Sequence, residues 1–339
     1  MELNKTYIGD ALSVLKTFPD ETVDCVITSP PYWALRDYGM DGQLGLEPTF
    51  EEFVNDLCDI FDEVKRVLKK SGTCWVNLGD TYNSSQAAGD KKFGNEEFNK
   101  NRPSREKTLT PRKRKQQRLK NKCLLQIPSR FAIEMCDRGW ILRNEIIWQK
   151  PNAMPSSAPD RFTVDFEKIF FFTKAERYFF NQQYDPRTQA EILEAMEIAK
   201  KYGYDGSMSY EKWYMEVREK KSWHDHSDDS GKGFGQQTRG SQSKVSAMIH
   251  PLGKVKRTTW PISTKPYAEA HFATYPPDLI ETPMKAGCPR GGVVLDPFMG
   301  SGTTGYVAQK LGMNWLGIEI NPEYLPLIQA RTSQKTLMI

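Results

Sequence analysis

Six consecutive residues, Thr28-Ser29-Pro30-Pro31-Tyr32-Trp33, follow a short apolar run and combine types that could act on a weakly nucleophilic nitrogen. Two adjacent prolines cannot continue a central strand, so the chain must turn there. Proline has no N–H, and the Pro30 carbonyl can face a planar ligand with no competing donor of its own. The Ser29 hydroxyl can both donate and accept. An amino nitrogen on an aromatic ring is a poor nucleophile because its lone pair is delocalised. Acceptors placed on its hydrogens pull it toward tetrahedral geometry and free that pair. Tyr32 adds a ring on which a heterocycle could stack. A turn that only ends a strand, with an aromatic packed behind it, is the purely structural alternative.

A second constellation lies far along the chain. Val293-Val294-Leu295 reads as a buried strand, Asp296-Pro297-Phe298-Met299-Gly300-Ser301-Gly302-Thr303-Thr304 as a turn, and the stretch to Leu311 as a helix. Gly300 and Gly302 would let backbone approach a ligand closely, and the helix start offers free N–H groups. Glu319 ends the next strand, Trp315–Glu319, about where acids hold ribose hydroxyls in dinucleotide folds. Neither G-x-G-x-x-G nor G-x-x-x-x-G-K-[ST] occurs, and a glycine-rich turn can also do no more than shape a strand–helix joint. In open parallel sheets ligands bind outside the carboxyl ends of the strands, so both turns and Glu319 could face one crevice.

The intervening elements must hold these pieces. Leu12, Leu15 and Phe18 share one face of a helix over Ala11–Phe18, and residues 23–27 form a strand. Phe53, Leu57, Ile60, Phe61, Val64 and Leu68 mark an amphipathic helix over Thr49–Lys69, closed by Lys69-Lys70-Ser71-Gly72. A strand at 73–78, a helix at Ser129–Arg138, and strands at Trp140–Trp148 and Ile169–Thr173 follow. Strand–helix alternation of this kind predicts a parallel sheet with helices on its faces. Residues 181–256 differ in texture, with a helix at Thr188–Tyr202 and then Gly- and Ser-rich loops such as Ser230–Gly235. A helix at Tyr275–Ala286 and a last one from Pro322 complete the reading.

With 17 Phe, 14 Tyr and 8 Trp among 339 residues, the chain is too aromatic to be disordered. The net charge of +4 says little, but its distribution says more. Eleven Lys and Arg fall between Lys100 and Lys122 against one acid, Glu106, and Arg112-Lys113-Arg114-Lys115 are contiguous. Such a run suits contact with phosphates, with a solvated loop as the plainer reading. The six cysteines include no C-x-x-C pair, which argues against a zinc ribbon or a disulfide scaffold. His224 and His226, two apart in a polar loop, read as surface residues, so no metal is expected. No basic-then-apolar leader and no bilayer-length apolar run occur, which predicts a soluble, cytoplasmic protein, near the nucleoid if the cell is prokaryotic.

These motifs resemble the beta group of amino DNA methyltransferases, in which the catalytic motif precedes the cofactor motif. Ser29-Pro30-Pro31-Tyr32 is similar to the family's [D/N/S]-P-P-[Y/F/W] motif, and Asp296–Thr303 to its D-P-F-x-G-S-G-T motif. Gly9-Asp10 matches the acid at the cofactor's adenine ring, and Glu319 the ribose-binding acid. His271-Phe272-Ala273-Thr274-Tyr275-Pro276 resembles the segment lining the methionine end, and Trp148-Gln149-Lys150-Pro151-Asn152 a further block.

The resemblance implies a Rossmann-like α/β sheet that uses S-adenosyl-L-methionine, with the catalytic part at 1–180, carrying a basic loop at 83–122. It further implies a target-recognition module at 181–256 and a cofactor-binding part at 257–339. Ser29, Pro30, Pro31 and Tyr32 would be catalytic. Asp10, Thr28, His271, Phe272 and Tyr275 would hold the cofactor, together with Asp296, Pro297, Phe298, Gly300, Ser301, Gly302, Thr303 and Glu319. Double-stranded DNA would be the substrate, with Arg112 to Lys115 on its phosphates, and a companion restriction endonuclease is a possible partner. In this family Ser-Pro-Pro-Tyr goes mostly with cytosine N4 and Asp-Pro-Pro-Tyr with adenine N6, so cytosine is favoured over adenine, and a silent DNA-binding subunit is a remoter reading. Carbon-5 methylation needs a thiolate, usually in a Pro-Cys pair, and no Pro-Cys occurs. Tyr32 is expected to act through its ring, so that Tyr32→Phe keeps most activity. Asp296→Ala and Glu319→Ala are each expected to weaken cofactor binding while leaving the fold intact.

Overall fold

The computed structural model describes residues 1–35, 37–83, 118–201, 203–222, 250, 253–264 and 275–333. Arg112, Lys113, Arg114, Lys115, His271, Phe272, His224 and His226 lie outside the described residues. The chain divides into two compact units, Met1–Asn181 with Thr258–Ile339, and Gln182–Arg257.

Among the described residues the strands are β1 (Lys5–Ile8), β2 (Val23–Thr28), β3 (Leu68–Leu78), β4 (Ile141–Gln149), β5 (Phe166–Thr173), β6 (Tyr184–Asp185), β7 (Lys254–Val255), β8 (Thr259–Pro261), β9 (Val293–Asp296) and β10 (Asn314–Glu319). The helices are α1 (Ala11–Leu15), α2 (Phe50–Val67), α3 (Ile127–Asp137), α4 (Gln189–Lys200), α5 (Tyr210–Ser222), α6 (Pro277–Gly287), α7 (Thr303–Lys310) and α8 (Leu325–Thr332). The first unit is built on one eight-stranded sheet in the order β1-β10-β9-β2-β3-β5-β4-β8. Every pairing is parallel except the two made by β5, so β5 alone runs against the rest. The sheet is mixed rather than parallel throughout. The reason is local: residues 150–165 join β4 to β5 without a helix, so the chain returns beside the strand it has left.

The central strands β10, β9, β2, β3 and β5 are buried on both faces, and their alternate residues serve opposite layers. Val26, Phe170, Phe172 and Leu316 pack with α1, α2 and α3. Cys25, Ile27, Phe171 and Trp315 pack with α6, α7 and α8. Helix α2 follows from its pattern: Phe53, Leu57, Phe61 and Val64 recur at helical spacing and are fully buried. Its start is a capping box, in which Thr49 accepts from Glu52 N–H and Glu52 returns the bond to Thr49 N–H. It ends two residues before the sequence pattern predicts. Leu68 turns extended (φ −72°, ψ 133°) and pairs with Val23, so Lys69-Lys70-Ser71-Gly72 belong to β3 and do not close the helix. Burial of Leu68 under the sheet outweighs its fit to the helical stripe.

In the second unit α4 also begins with a capping box, Thr188 with Glu191. A small aromatic core of Tyr204, Tyr210, Trp213 and Tyr214 packs on Ala195 and Ala199. Helix α5, which supplies much of that core, has no counterpart in the sequence reading, because its stripe is aromatic and flanked by charge.

Candidate active site

The strand directions bring the chemistry to one edge. The carboxyl ends of β1, β10, β9, β2, β3, β4 and β8 lie together, and because β5 is reversed its amino end joins them. A crevice of about 1210 Å³ opens along that edge. Asp10 follows β1, Ser29 follows β2, Asn77 lies near the end of β3, Lys150 follows β4, Glu167 opens β5 and Glu319 ends β10, and all six line it. Pockets for single small ligands run to about 1,000 Å³, so this space can hold more than one small ligand.

On one side sits the Pro-Pro turn, with Ser29, Pro30, Pro31 and Tyr32 all on the wall. The Ser29 hydroxyl lies 3.4 Å from Asn77 Oδ1 and 3.5 Å from the Tyr32 hydroxyl. The Tyr32 hydroxyl donates to Glu167 Oε2 at 2.7 Å, with Asn77 Oδ1 a second acceptor at 3.2 Å. Glu167 is also paired through Oε1 with the Lys150 ammonium, which lies 4.4 Å from the centre of the Trp148 ring. Gly79 makes room for the Tyr32 ring: a Cβ there would fall 2.5 Å from its Cε2. Burial, and then the Glu167 charge, hold the Tyr32 phenol well above its ordinary range, so it stays protonated at neutral pH. Asn77 and Glu167 were not singled out in the sequence. A charged residue opening the otherwise apolar strand Ile169–Phe172 is the only signal that pointed there, and the Trp148–Glu167 register that makes it meaningful is tertiary.

The other wall is the glycine-rich turn. Pro297, Phe298, Gly300, Ser301, Thr303 and Tyr275 line the crevice. Gly300 has φ +51° and Gly302 φ +81°, which glycine adopts without strain. A Cβ on Gly300 would meet nothing nearer than 3.9 Å, so the space beside the turn is open to a ligand. Glu319 accepts Gly300 N–H through Oε2 at 2.8 Å and Asn321 N–H through Oε1 at 2.9 Å. Each oxygen keeps a lone pair for a further donor. Burial pushes the Glu319 carboxyl up to about 7. Asp10 caps α1 by accepting Ser13 N–H at 2.8 Å and also faces the crevice.

Three residues expected to touch a cofactor do not line the crevice: Thr28, Asp296 and Gly302. Asp296 is fully buried and its oxygens are saturated. Oδ1 accepts Thr28 Oγ1 at 2.6 Å and Phe298 N–H at 3.0 Å, and Oδ2 accepts the Tyr275 hydroxyl at 2.8 Å and Thr304 Oγ1 at 2.5 Å. Asp296 thus ties the end of β2 to the turn after β9. Gly302 lies over Ile328, 3.1 Å from where its Cβ would be. These residues shape the turn from behind.

The sequence matches the DNA methylase family (N6/N4 type) over residues 23–330. The Type II methyltransferase M.Cfr9I of Citrobacter freundii is 39% identical over 332 residues, covering 96% of this chain and 87% of that protein. Among solved structures, PvuII DNA methyltransferase (cytosine-N4-specific) superposes with a TM-score of 0.58 at 19% identity, over 98% of this chain and 87% of that one. A proposed DNA modification methylase from Thermus thermophilus, complexed with S-adenosyl-L-methionine, gives 0.52 at 22% identity, over 98% and 95%.

Proposed function

The chain belongs to the N6/N4 DNA methylase family, and from that premise we propose that it transfers a methyl group to the N4 amino group of a cytosine extruded from duplex DNA. The observation that carries this reading is the shared crevice. Ser29-Pro30-Pro31-Tyr32 and the Pro297–Thr303 turn face one space, with a buried carboxylate, Glu319, at the end of the turn's neighbouring strand. A base inside a duplex cannot reach such a recess, so it must leave the stack.

The walls fit S-adenosyl-L-methionine. The open side of Gly300 and the Glu319 carboxylate would take its ribose, and Asp10 its adenine. When bound it supplies an electrophilic methyl on a sulfonium. The rest of the chemistry is positioning and polarisation. The Pro30 carbonyl and the Ser29 oxygen accept the two amino hydrogens, which returns the lone pair to nitrogen. Ser29 can direct its own proton to Asn77 Oδ1, leaving its lone pairs for the base. Tyr32 offers its ring, held in place by Gly79 beneath and Glu167 at the hydroxyl. Serine at the head of the motif favours cytosine. Residues 181–256 act as the target-recognition module, Arg112 to Lys115 contact phosphates, and a restriction endonuclease is the companion.

Incubating the protein with S-adenosyl-L-methionine and duplex DNA, then digesting to nucleosides for mass spectrometry, tests this. N4-methylcytosine is expected. N6-methyladenine in its place overturns the choice of base, and no methylated nucleoside overturns the activity.

A further inference from the structure

The loop of residues 150–165 leaves the sheet at the crevice edge, since its two roots, Lys150 and Glu167, both line the crevice. It is pinned along its length. Lys150 N–H donates to Asp165 O at 2.7 Å, closing its base. Asn152 and Thr264 exchange bonds, Asn152 Nδ2 to Thr264 O and Thr264 N–H to Asn152 Oδ1, each 2.9 Å. Ser156 N–H donates to Thr163 Oγ1 at 3.2 Å. The tip is tied by an Asp160–Lys122 ion pair and by Arg161, whose guanidinium lies 3.7 Å from the centre of the Tyr82 ring.

On this braced loop Phe162 stands 95% exposed, the most exposed large apolar side chain among the described residues. A single exposed apolar side chain would need no explanation, but Met154 and Val164 stand exposed on the same braced loop, and apolar surface grouped in this way marks an interaction site. The same place joins the fold to its most basic stretch. Tyr82 and Leu124 form a bridge, and Asn83 N–H donates to Cys123 O at 2.8 Å, making a neck between which residues 84–117 run. The loop that carries Phe162 and the neck that carries Lys122 thus both leave the sheet at the edge where β4 and β3 end, the edge along which the crevice opens.

We propose that Phe162 is a wedge that enters the duplex at the position the target base vacates. This rests on the base-extruding reading above. Pulling a base out of the stack leaves a gap whose unstacking must be offset, and apolar side chains placed between base steps do so in proteins that deform DNA. A phenylalanine on a loop rooted at the crevice can occupy that gap while the base lies in the crevice.

The test compares Phe162→Ala with the unaltered enzyme on two duplexes of the same recognition sequence. One is fully paired, and the other carries a pyrene nucleotide opposite the target base. Pyrene fills the gap and pushes the target out, so it replaces the wedge. On paired DNA the variant should lose about ten- to a hundredfold in kcat/KM, the scale of one base–aromatic stack. On the pyrene duplex the two proteins should agree within about threefold. Cofactor affinity and Tm should be unchanged. An equal loss on both duplexes, no loss on either, or a lowered Tm that shows Phe162 packing within the protein overturns the wedge. If the unaltered enzyme methylates neither duplex, it is the function that fails.

Discussion

Replacing Tyr32 by phenylalanine removes one oxygen, and the structure assigns that oxygen a task. It donates to Glu167 Oε2 at 2.7 Å, and Glu167 is held in turn by Lys150. A hydrogen bond to a charged group contributes roughly 1.5–3 kcal/mol. If it fixes the ring against the extruded base in the transition state, its loss should slow methyl transfer roughly ten- to 150-fold. The sequence alone predicts the opposite, a dispensable hydroxyl, because the carboxylate it reaches is 135 residues away. Single-turnover methyl transfer separates chemistry from product release. A cycle with Glu167→Gln then asks whether the two positions act as one. The pair should couple by about 1 kcal/mol or more, since the second change removes little once the first is made. Cofactor affinity should hold, because Tyr32 lies on the other wall. Single-turnover rates for Tyr32→Phe within twofold of the unaltered enzyme would refute the argument and restore a role for the ring alone.

Glu319 predicts a pH dependence. Its carboxyl is raised to about 7 by burial, so this group favours the folded state when protonated, and that contribution is lost as pH rises from about 4.5 through about 7. Ribose hydroxyls would favour the charged form. Cofactor binding near pH 6.5 should thus release a proton and strengthen toward pH 8, and calorimetry in buffers of different ionisation enthalpy that shows no proton release would sink the assignment. Asp296→Ala should cost on the order of 3 kcal/mol of stability, because it orphans the buried Thr28 hydroxyl and the Phe298 N–H and leaves the Tyr275 and Thr304 hydroxyls only each other. Urea unfolding that leaves the midpoint in place would mean those groups find new partners. Replacing Arg112, Lys113, Arg114 and Lys115 by alanine should flatten the plot of log affinity against log salt by about 3–4 units without altering the recognised sequence. A changed sequence preference with an unchanged slope contradicts this.

Motif order and strand ends were readable because each motif abuts a short apolar run whose carboxyl end the fold must expose. Phe53, Leu57, Phe61 and Val64 announce α2 by spacing alone. What the spacing does not carry is register. Glu167 reaches Tyr32 because β5 runs antiparallel between β3 and β4, and nothing near residue 167 states that. Asp296 shows the same limit from the other side. A motif match places it at a ligand, whereas four donors and full burial make it a brace behind the turn. Leu68 fits a helical stripe and a strand equally well, and its pairing with Val23 decides between them.

The pairing of β2 with β9, sealed by Thr28 and Asp296, joins residues 268 positions apart. At roughly 5–20 residues per second, the ribosome takes on the order of 15 to 50 seconds to make that interval. For all of that time one side of β2 has no neighbour, and an open strand edge invites pairing with other chains. Parallel pairings over such separations also form slowly once both strands exist. An unfinished chain therefore carries the Pro-Pro turn without the wall that faces it. Chaperone occupancy during translation should be greatest over that window and end when residues 293–296 emerge.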